Sequence, residues 1–502
     1  MDNLVPLLMV VIYIVGTTVI SFFFSKKASK NSAQYFVAER TLTLVMSIAL
    51  LFSEIVAGAG TIGNASDAYS TGLSSVWANW GMTLGCILFL VSVARFYRAV
   101  GVAKGAMSIP QAYYFMFDTK TRMALMFIVV IAYTMIFSTQ AKAAASIVAP
   151  LLGADATLMA WVITALFILV TVTGGISGIA WMNVVHSVVM YVGMALVCIM
   201  SVVSVGGFEG LAANLPADHF NFMYPSIPTT IAYALGTAIS FLAASTVTNV
   251  SFSAKTFKTS KRAILASGIL VMPFALMPAL MGLSARVAMP GIAPDSALFA
   301  MANSLGSVFG GIVSMAILAA IWSTAPALLL VICTSLTKDL YKGIIKRDAS
   351  DKSQMRFSRI MAVVVGAAGT TLGLSVPSIL GQMLGAFQIR SVVGIVLVAA
   401  IVWKRVSPNA AFWSIISGGT VALVWHFAGN PFDIAPLWPT LVTCLLVLIP
   451  VTLASKKKVS DGYLMYQESL KEMQQYELKA EADVKKEKQA RKAEKAAARA
   501  AK

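Results

Sequence analysis

The chain has 502 residues, of which 58% are hydrophobic and 12% charged, and a formal net charge of +17. That composition excludes a soluble globular domain and describes a protein with many membrane spans, so the basic excess is read against lipid and aqueous loops, not nucleic acid. Cys86, Cys198, Cys333 and Cys444 stand singly inside apolar runs, without metal-ligand spacing or a disulfide framework, and read as small apolar residues.

In chain order, the apolar runs predict thirteen spans, at about 4–24, 44–66, 74–98, 123–149, 156–173, 178–204, 228–252, 263–285, 306–335, 358–376, 380–403, 410–428 and 437–454. The first has no basic stretch before it and no small-residue cleavage site, so it reads as a retained helix, not a signal peptide. The second, Leu44 to Ser66, is apolar but interrupted by Ser53, Glu54 and then Ala57-Gly58-Ala59-Gly60. A carboxylate at bilayer depth is costly unless it faces a cavity or a partner. Paired glycines weaken a helix. Irregular backbone persists at that depth only where it lines a site, so this stretch reads as a broken helix at a binding site.

The gaps between spans alternate in charge. One set holds Lys26, Lys27, Lys30 and Arg40; Arg95, Arg98, Lys104, Lys120 and Arg122; Lys255, Lys258, Lys261 and Arg262; Lys338, Lys342, Lys346, Arg347, Lys352 and Arg356; Lys404 and Arg405; and the tail. The other set carries Arg286 alone. The positive-inside rule puts the N-terminus outside and the C-terminus in the cytoplasm. The outer stretch 206–228, with Glu209, Asp218 and His219, reads as a solvated cap over the mouth and not as a metal site. From Lys456 onward Glu, Lys and Ala alternate, which predicts a fraying charged helix, solvated in preference to lipid-bound.

Six stretches share a further property. They are Ala33-Gln-Tyr-Phe-Val-Ala-Glu-Arg40, Tyr69-Ser-Thr-Gly72, Ser108-Ile-Pro-Gln-Ala112, Thr173-Gly-Gly-Ile-Ser-Gly-Ile-Ala-Trp181, the basic run Lys255 to Arg262, and Ala319-Ala-Ile-Trp-Ser-Thr324 followed by Lys338-Asp-Leu-Tyr341. In this order they resemble the sodium/solute symporter family, the group of sodium–sugar, sodium–proline, sodium–pantothenate and sialic acid carriers. The resemblance implies an all-α integral membrane fold with a five-plus-five inverted-repeat, LeuT-like core. Residues 1–43 would hold an extra helix and a basic loop, 44–204 the first repeat, 205–227 an outer loop, 228–403 the second repeat, 404–455 two more helices, and 456–502 the tail. Polar breaks in the first and sixth core helices, at Ser53 to Gly60 and at Ser245-Thr-Val-Thr-Asn249, then mirror each other at a midplane site.

The resemblance also implies a sodium ion held by the hydroxyls of Ser323 and Thr324 and by the carbonyls of Ala320, Ser53 and Val56. Sodium takes several oxygen ligands, which hydroxyls and unwound carbonyls supply without a further buried charge. A Ser-Thr pair also back-bonds to its own helix, and both readings stay open. The family commonly has Asp where Asn183 stands, with His186 following on the same face. This points to one sodium per cycle and leaves proton coupling open at His186, since a histidine changes charge near neutral pH. Pro326 removes a backbone donor and predicts a kink.

For the solute, the family pattern selects Glu54 on the first core helix, Asn79 and Trp80 on the second, Gln140 and Lys142 on the third, Asn249 on the sixth, and Gln388 and Arg390 on the tenth. Glu54, Lys142 and Arg390 are intramembrane charges that need partners. They hold a solute carboxylate or amine, the amine stacked on Trp80 or Trp322, or they pair with one another. Three charges favour a carboxylate or zwitterion over a neutral sugar. The leading expectation is sodium-coupled symport of a small polar solute into the cell by alternating access, at a prokaryotic plasma membrane. Proton-coupled or sodium-independent transport and a membrane solute sensor are the alternatives; the sequence holds no cluster of catalytic spacing that would favour an enzyme. The expected partners are solute, sodium and bilayer.

Overall fold

The computed structural model describes residues 4–25, 42–224, 226–375 and 379–500. The motif at 33–40 and the basic residues Lys26, Lys27, Lys30 and Arg40 lie outside the described residues, as do the side chains of 174–178 in the fourth motif. The helices are, in chain order, α1 (Leu4–Ser25), α2 (Leu44–Gly58), α3 (Asn64–Thr71), α4 (Trp77–Ser92), α5 (Ala94–Ala103), α6 (Ile109–Met116), α7 (Thr119–Leu152) and α8 (Ala156–Ser204). After a short surface helix, Gly207–Asn214, come α9 (Ile227–Phe241), α10 (Ser245–Ser253), α11 (Phe257–Ala288), α12 (Ala297–Ser304), α13 (Ser307–Ser335), α14 (Asp351–Ser375), α15 (Ile379–Val402), α16 (Pro408–Phe427), α17 (Leu437–Leu453) and α18 (Asp461–Ala500).

Among the described residues, ten helical segments are long and apolar enough to cross a bilayer, and the bent pair α2–α3 makes an eleventh. Two further apolar helices, Leu4–Ile20 and Leu437–Leu453, are shorter than that length and stand at the other two positions where spans are expected. This is a multi-pass membrane architecture. At about 1.5 Å per residue, the 49 residues of α8 exceed twice the roughly 30 Å hydrocarbon core, and they supply two spans, Ala156–Thr173 and Ile179–Ser204.

Helix starts follow local chemistry. Ser108, Asp118, Asp155, Thr256 and Ser407 each sit just before a helix and accept from the backbone N–H three residues on, satisfying a donor that has no partner within the helix. α13 forms the centre of the bundle, with its whole apolar window buried. It packs against α1, α2, α7 and α8. It runs as one helix through Pro326.

Two interruptions shape the middle of the bundle. At Ala57 the backbone turns to φ 41° and ψ −174°, a conformation an L-residue holds only under constraint from its surroundings. A π-helical turn, Ala59–Gly63, follows, and the chain leaves at 57° to its entry. The second interruption falls at residues 242–244, ahead of the expected Ser245–Asn249, which is helical in α10. The reason lies in hydrogen bonding. The Thr248 and Ser251 hydroxyls return to carbonyls of their own helix, whereas the Ala243 carbonyl finds an outside partner in Tyr133.

Most of the described residues of 206–228 are exposed, Glu209 and Asp218 among them, as a solvated cap requires; Leu211, Leu215 and His219 are its buried anchors, and the backbone of His219 occupies the space a side chain at Gly72 (φ 90°) would need. The tail is corrected in part: one face of its first half is docked on the bundle, while its outer face is exposed. α18 lies along α5 and α6 with Tyr466 and Met473 buried, because the fully buried guanidinium of Arg98 needs a counter-charge, and Glu477 of α18 provides it at 2.7 Å.

Candidate functional site

α13 faces the interruption of α2. The Thr324 hydroxyl donates to the Ser53 carbonyl at 3.2 Å and the Ser323 hydroxyl to the same oxygen at 3.4 Å. Both also reach the Ala320 carbonyl, at 2.9 and 2.8 Å. Two hydroxyl and two carbonyl oxygens therefore cluster in a fully buried place, with Val56 buried on the same turn of α2. The back-bonded and the cross-helix arrangements coexist. A hydroxyl proton can satisfy one carbonyl at full strength, so this cluster has more lone pairs than protons, the condition a small hard cation answers. Asn183 approaches the Ser323 carbonyl through Nδ2 at 3.4 Å, while its Oδ1 has no partner among the described residues. His186 is hydrogen-bonded to the hydroxyl of Tyr13 on α1, and its Nε2 likewise has no partner among the described residues.

Beside this cluster lies a narrow cavity of about 20 Å³. Glu54 and Arg390 both line it, with Thr324, Leu51, Met82 and Phe387 among the other walls. No direct ion pair joins Glu54 to Arg390 among the described residues. Arg390 is held from behind: Nε donates to Ser240 Oγ at 2.9 Å, Nη1 to the Tyr133 hydroxyl at 3.0 Å, and the guanidinium lies over the Tyr133 and Phe387 rings.

The remaining candidates take other places. Asn79 donates to the Gly60 carbonyl at 3.2 Å and so satisfies an acceptor of the first break. Gln140 lies against Gly58, its Oε1 without a partner among the described residues. Trp80 donates to the Met272 carbonyl at 3.0 Å and stacks on Phe222, away from the cavity. Lys142 is half-buried and does not line it. Asn249 lines a separate cavity of about 10 Å³, rich in hydroxyls, with Ser108, Ser245, Thr248, Thr334 and Ser335. Gln388 lines a cleft of about 400 Å³ with His426. Sequence reasoning missed Tyr133, Ser240 and Phe387, which hold Arg390; a tyrosine in an apolar span carries no signal of its own.

Several motifs explain themselves at the two ends. Asp339 receives Arg122 Nε at 2.9 Å on one oxygen and the Ser108 hydroxyl at 2.9 Å on the other, so the Ser108 and Lys338-Asp-Leu-Tyr341 motifs meet. At the opposite end the Tyr69 hydroxyl donates to the Met289 carbonyl and accepts from the Gly291 and Ile292 amides.

The family model described as Sodium:solute symporter family matches residues 35–418. The high-affinity proline transporter PutP of Bacillus subtilis (strain 168) is 25% identical over 473 residues, covering 89% of this chain and 98% of that protein. The sodium/proline symporter of Escherichia coli (strain K12) is 24% identical over 443 residues, covering 83% and 87%. A sodium-coupled sialic acid symporter, solved in a substrate-bound outward-open state, matches with a TM-score of 0.76 at 19% identity, covering 89% of this chain and 97% of its own. Mhp1, a nucleobase-cation-symport-1 family transporter, matches at 0.60 and 16% identity, covering 87% and 98%. At such identities the solved structures establish the fold, an all-helical membrane core of the LeuT type, as the sequence motifs implied.

Proposed function

The chain belongs to the sodium:solute symporter family, and we propose that it carries a small zwitterionic solute, of the amino-acid kind its curated relatives are named for, into the cell together with sodium. The observation that carries this reading is the shared cavity of Glu54 and Arg390. Two opposite intramembrane charges on one apolar cavity, without a direct bond to each other, match a ligand bearing both an ammonium and a carboxylate. Proline, named in the relatives, has both.

In this reading Arg390 takes the carboxylate and Glu54 the ammonium. Sodium occupies the oxygens of Ser53, Val56, Ala320, Ser323 and Thr324. Glu54 follows Ser53 in the chain, so ion and solute share one break of α2. Sodium steadies that break and raises solute affinity, and the solute raises sodium affinity by the same factor. Residues 44–204 and 228–403 act as the two moving repeats. The basic face is cytoplasmic and the N-terminus outside, in the plasma membrane. Asn79, Trp80, Gln140, Lys142, Asn249 and Gln388 belong to the access path and the supporting shell. The Tyr13–His186 bond, with Nε2 unpartnered among the described residues, favours one second reading, in which His186 carries a coupling proton.

The test is uptake by the full-length protein in liposomes under an imposed sodium, proton or potassium gradient. Labelled proline is the probe, with glycine betaine, a monocarboxylate and glucose as competitors. Sodium-driven uptake blocked by zwitterions alone supports the proposal. Uptake driven equally by a pH gradient without sodium moves the coupling to His186. Competition by glucose as strong as by betaine refutes the zwitterion site.

A further inference from the structure

We propose that Tyr133 is the positioning residue through which occupation of Arg390 is passed to the break between α9 and α10. This rests on the reading of Arg390 as the solute's carboxylate anchor. The Tyr133 hydroxyl donates to the Ala243 carbonyl at 3.2 Å, accepts from the Ser245 amide at 2.6 Å and accepts from Arg390 Nη1 at 3.0 Å. A phenol offers one donor and two acceptor positions, and all three are engaged. Two engage the backbone within the interruption and at the first residue after it, and the third engages the cavity's cation. Ser240, the other support of Arg390, lies at the end of α9 on the near side of the same interruption. A shift of the guanidinium towards a bound carboxylate therefore pulls on the one hydroxyl that stands in for the missing helical hydrogen bonds. Tyr133 is fully buried, so water does not replace that bond.

Tyr133→Phe keeps the ring under the guanidinium and removes the hydroxyl alone. The measurement is the solute dissociation constant of the full-length protein, with sodium and with potassium in its place. In the unaltered protein sodium tightens binding. Tyr133→Phe is expected to weaken solute binding about tenfold and to bring the sodium-to-potassium ratio of affinities close to one. Ser240→Ala, which removes the other support, is expected to weaken binding while keeping the ratio. A Tyr133→Phe protein that keeps the ratio overturns the proposal, whatever its affinity. An unaltered protein whose solute affinity ignores sodium would sink the symport reading itself, and this proposal with it.

An independent observation concerns α18. Glu477 bonds Arg98 Nε through Oε1 at 2.7 Å and receives the Phe257 amide, the first residue of α11, on Oε2 at 2.6 Å. Arg98 Nη1 in turn holds the Ser251 and Ala254 carbonyls at the end of α10, at 3.0 and 2.9 Å. The backbone of Leu42, just before α2, pairs with that same end of α10. The Ser460 amide binds the Lys404 carbonyl at 2.8 Å, and Gly462 lies so close on the Met116 carbonyl that a side chain there would collide. The geometry points to a clamp: the last helix holds the basic end of both broken helices shut and must release before that end opens.

The reporter is the thiol introduced by Thr248→Cys in the hydroxyl-lined cavity just inside the clamp, read as its rate of reaction with a polar maleimide. The four native thiols are buried, and the protein without the reporter gives the background. Adding Glu477→Ala, or separately Gly462→Leu, is expected to speed labelling at least threefold. Rates in both variants no faster than with Thr248→Cys alone, or a rise matched by the native thiols, overturn the clamp.

Discussion

The hydroxyl of Thr324 and the carbonyl oxygen of Ser53 meet at 3.2 Å, on two helices 271 residues apart in sequence, immediately before α2 loses its helical path. A ligand that binds only the folded state stabilises it by RT ln(1 + [L]/Kd), about 2.7 kcal/mol at a hundredfold excess. Replacing potassium by sodium at fixed ionic strength is therefore expected to raise the Tm of the detergent-solubilised protein. Ser323→Ala with Thr324→Val should erase the difference, and Thr324→Ser should keep most of it. A double variant that retains the full sodium shift places the ion elsewhere.

Glu54 and Arg390 should separate solutes by charge. Glu54→Gln is expected to weaken a zwitterion by roughly 1.5–3 kcal/mol, the usual worth of a hydrogen bond to a charged group, and to leave a monocarboxylate nearly unaffected. Arg390→Gln should weaken both. Competition against labelled solute reads each ratio, and equal losses of zwitterion and monocarboxylate in Glu54→Gln would remove the ammonium assignment.

Asp339 has no exposed surface and answers Arg122 at 2.8 Å. Removing one partner of a buried pair leaves the other charge uncompensated, at about 3–5 kcal/mol. Asp339→Ala is expected to lower Tm by far more than Ser108→Ala, which removes a single hydroxyl from the same carboxylate. A comparable loss in both would mean that Arg122 is satisfied without the carboxylate.

His219 gives a pH dependence with a definite sign. Burial, and then the positive charge of Arg286, hold its imidazole below the ordinary histidine range, against the opposing pull of Asp218. The unfolded chain thus binds the proton more readily, and stability falls as pH drops below about 6.5. Tm measured between about pH 7.5 and about 5.5 should decline less steeply in His219→Gln than in the unaltered protein. Identical slopes would show that His219 takes up its proton in the folded state as easily as in the unfolded one.

The sequence revealed the spans because apolar length is a property of one segment at a time. It revealed the first break because Glu54, Gly58 and Gly60 announce it locally. The second break was misplaced by a few residues: the Ser245–Asn249 hydroxyls looked like the disturbance, while the actual cause, Tyr133, lies more than a hundred residues away and reads as an ordinary apolar-span aromatic. The docked tail was illegible for the same reason. Glutamates and lysines alternating along α18 have the pattern of a solvated helix, and nothing marks Glu477 as the one that answers a buried arginine at position 98. In the solute site, Glu54 and Arg390 were visible as misplaced charges, but their convergence on one cavity depends on packing.

The bridge between Leu42 and the end of α10 has a practical consequence. Its two amide protons, on Leu42 and Lys255, point into a two-bond stitch between separate helices, with donor–acceptor distances of 3.1 and 3.3 Å. Helix amides at that depth exchange with deuterium only on unfolding, whereas these two exchange whenever the stitch parts. Followed by mass spectrometry, they serve as a clock on the membrane protein's own opening, readable without label, mutation or known cargo. Any compound that slows that clock without raising Tm in proportion declares itself a ligand of the closed form.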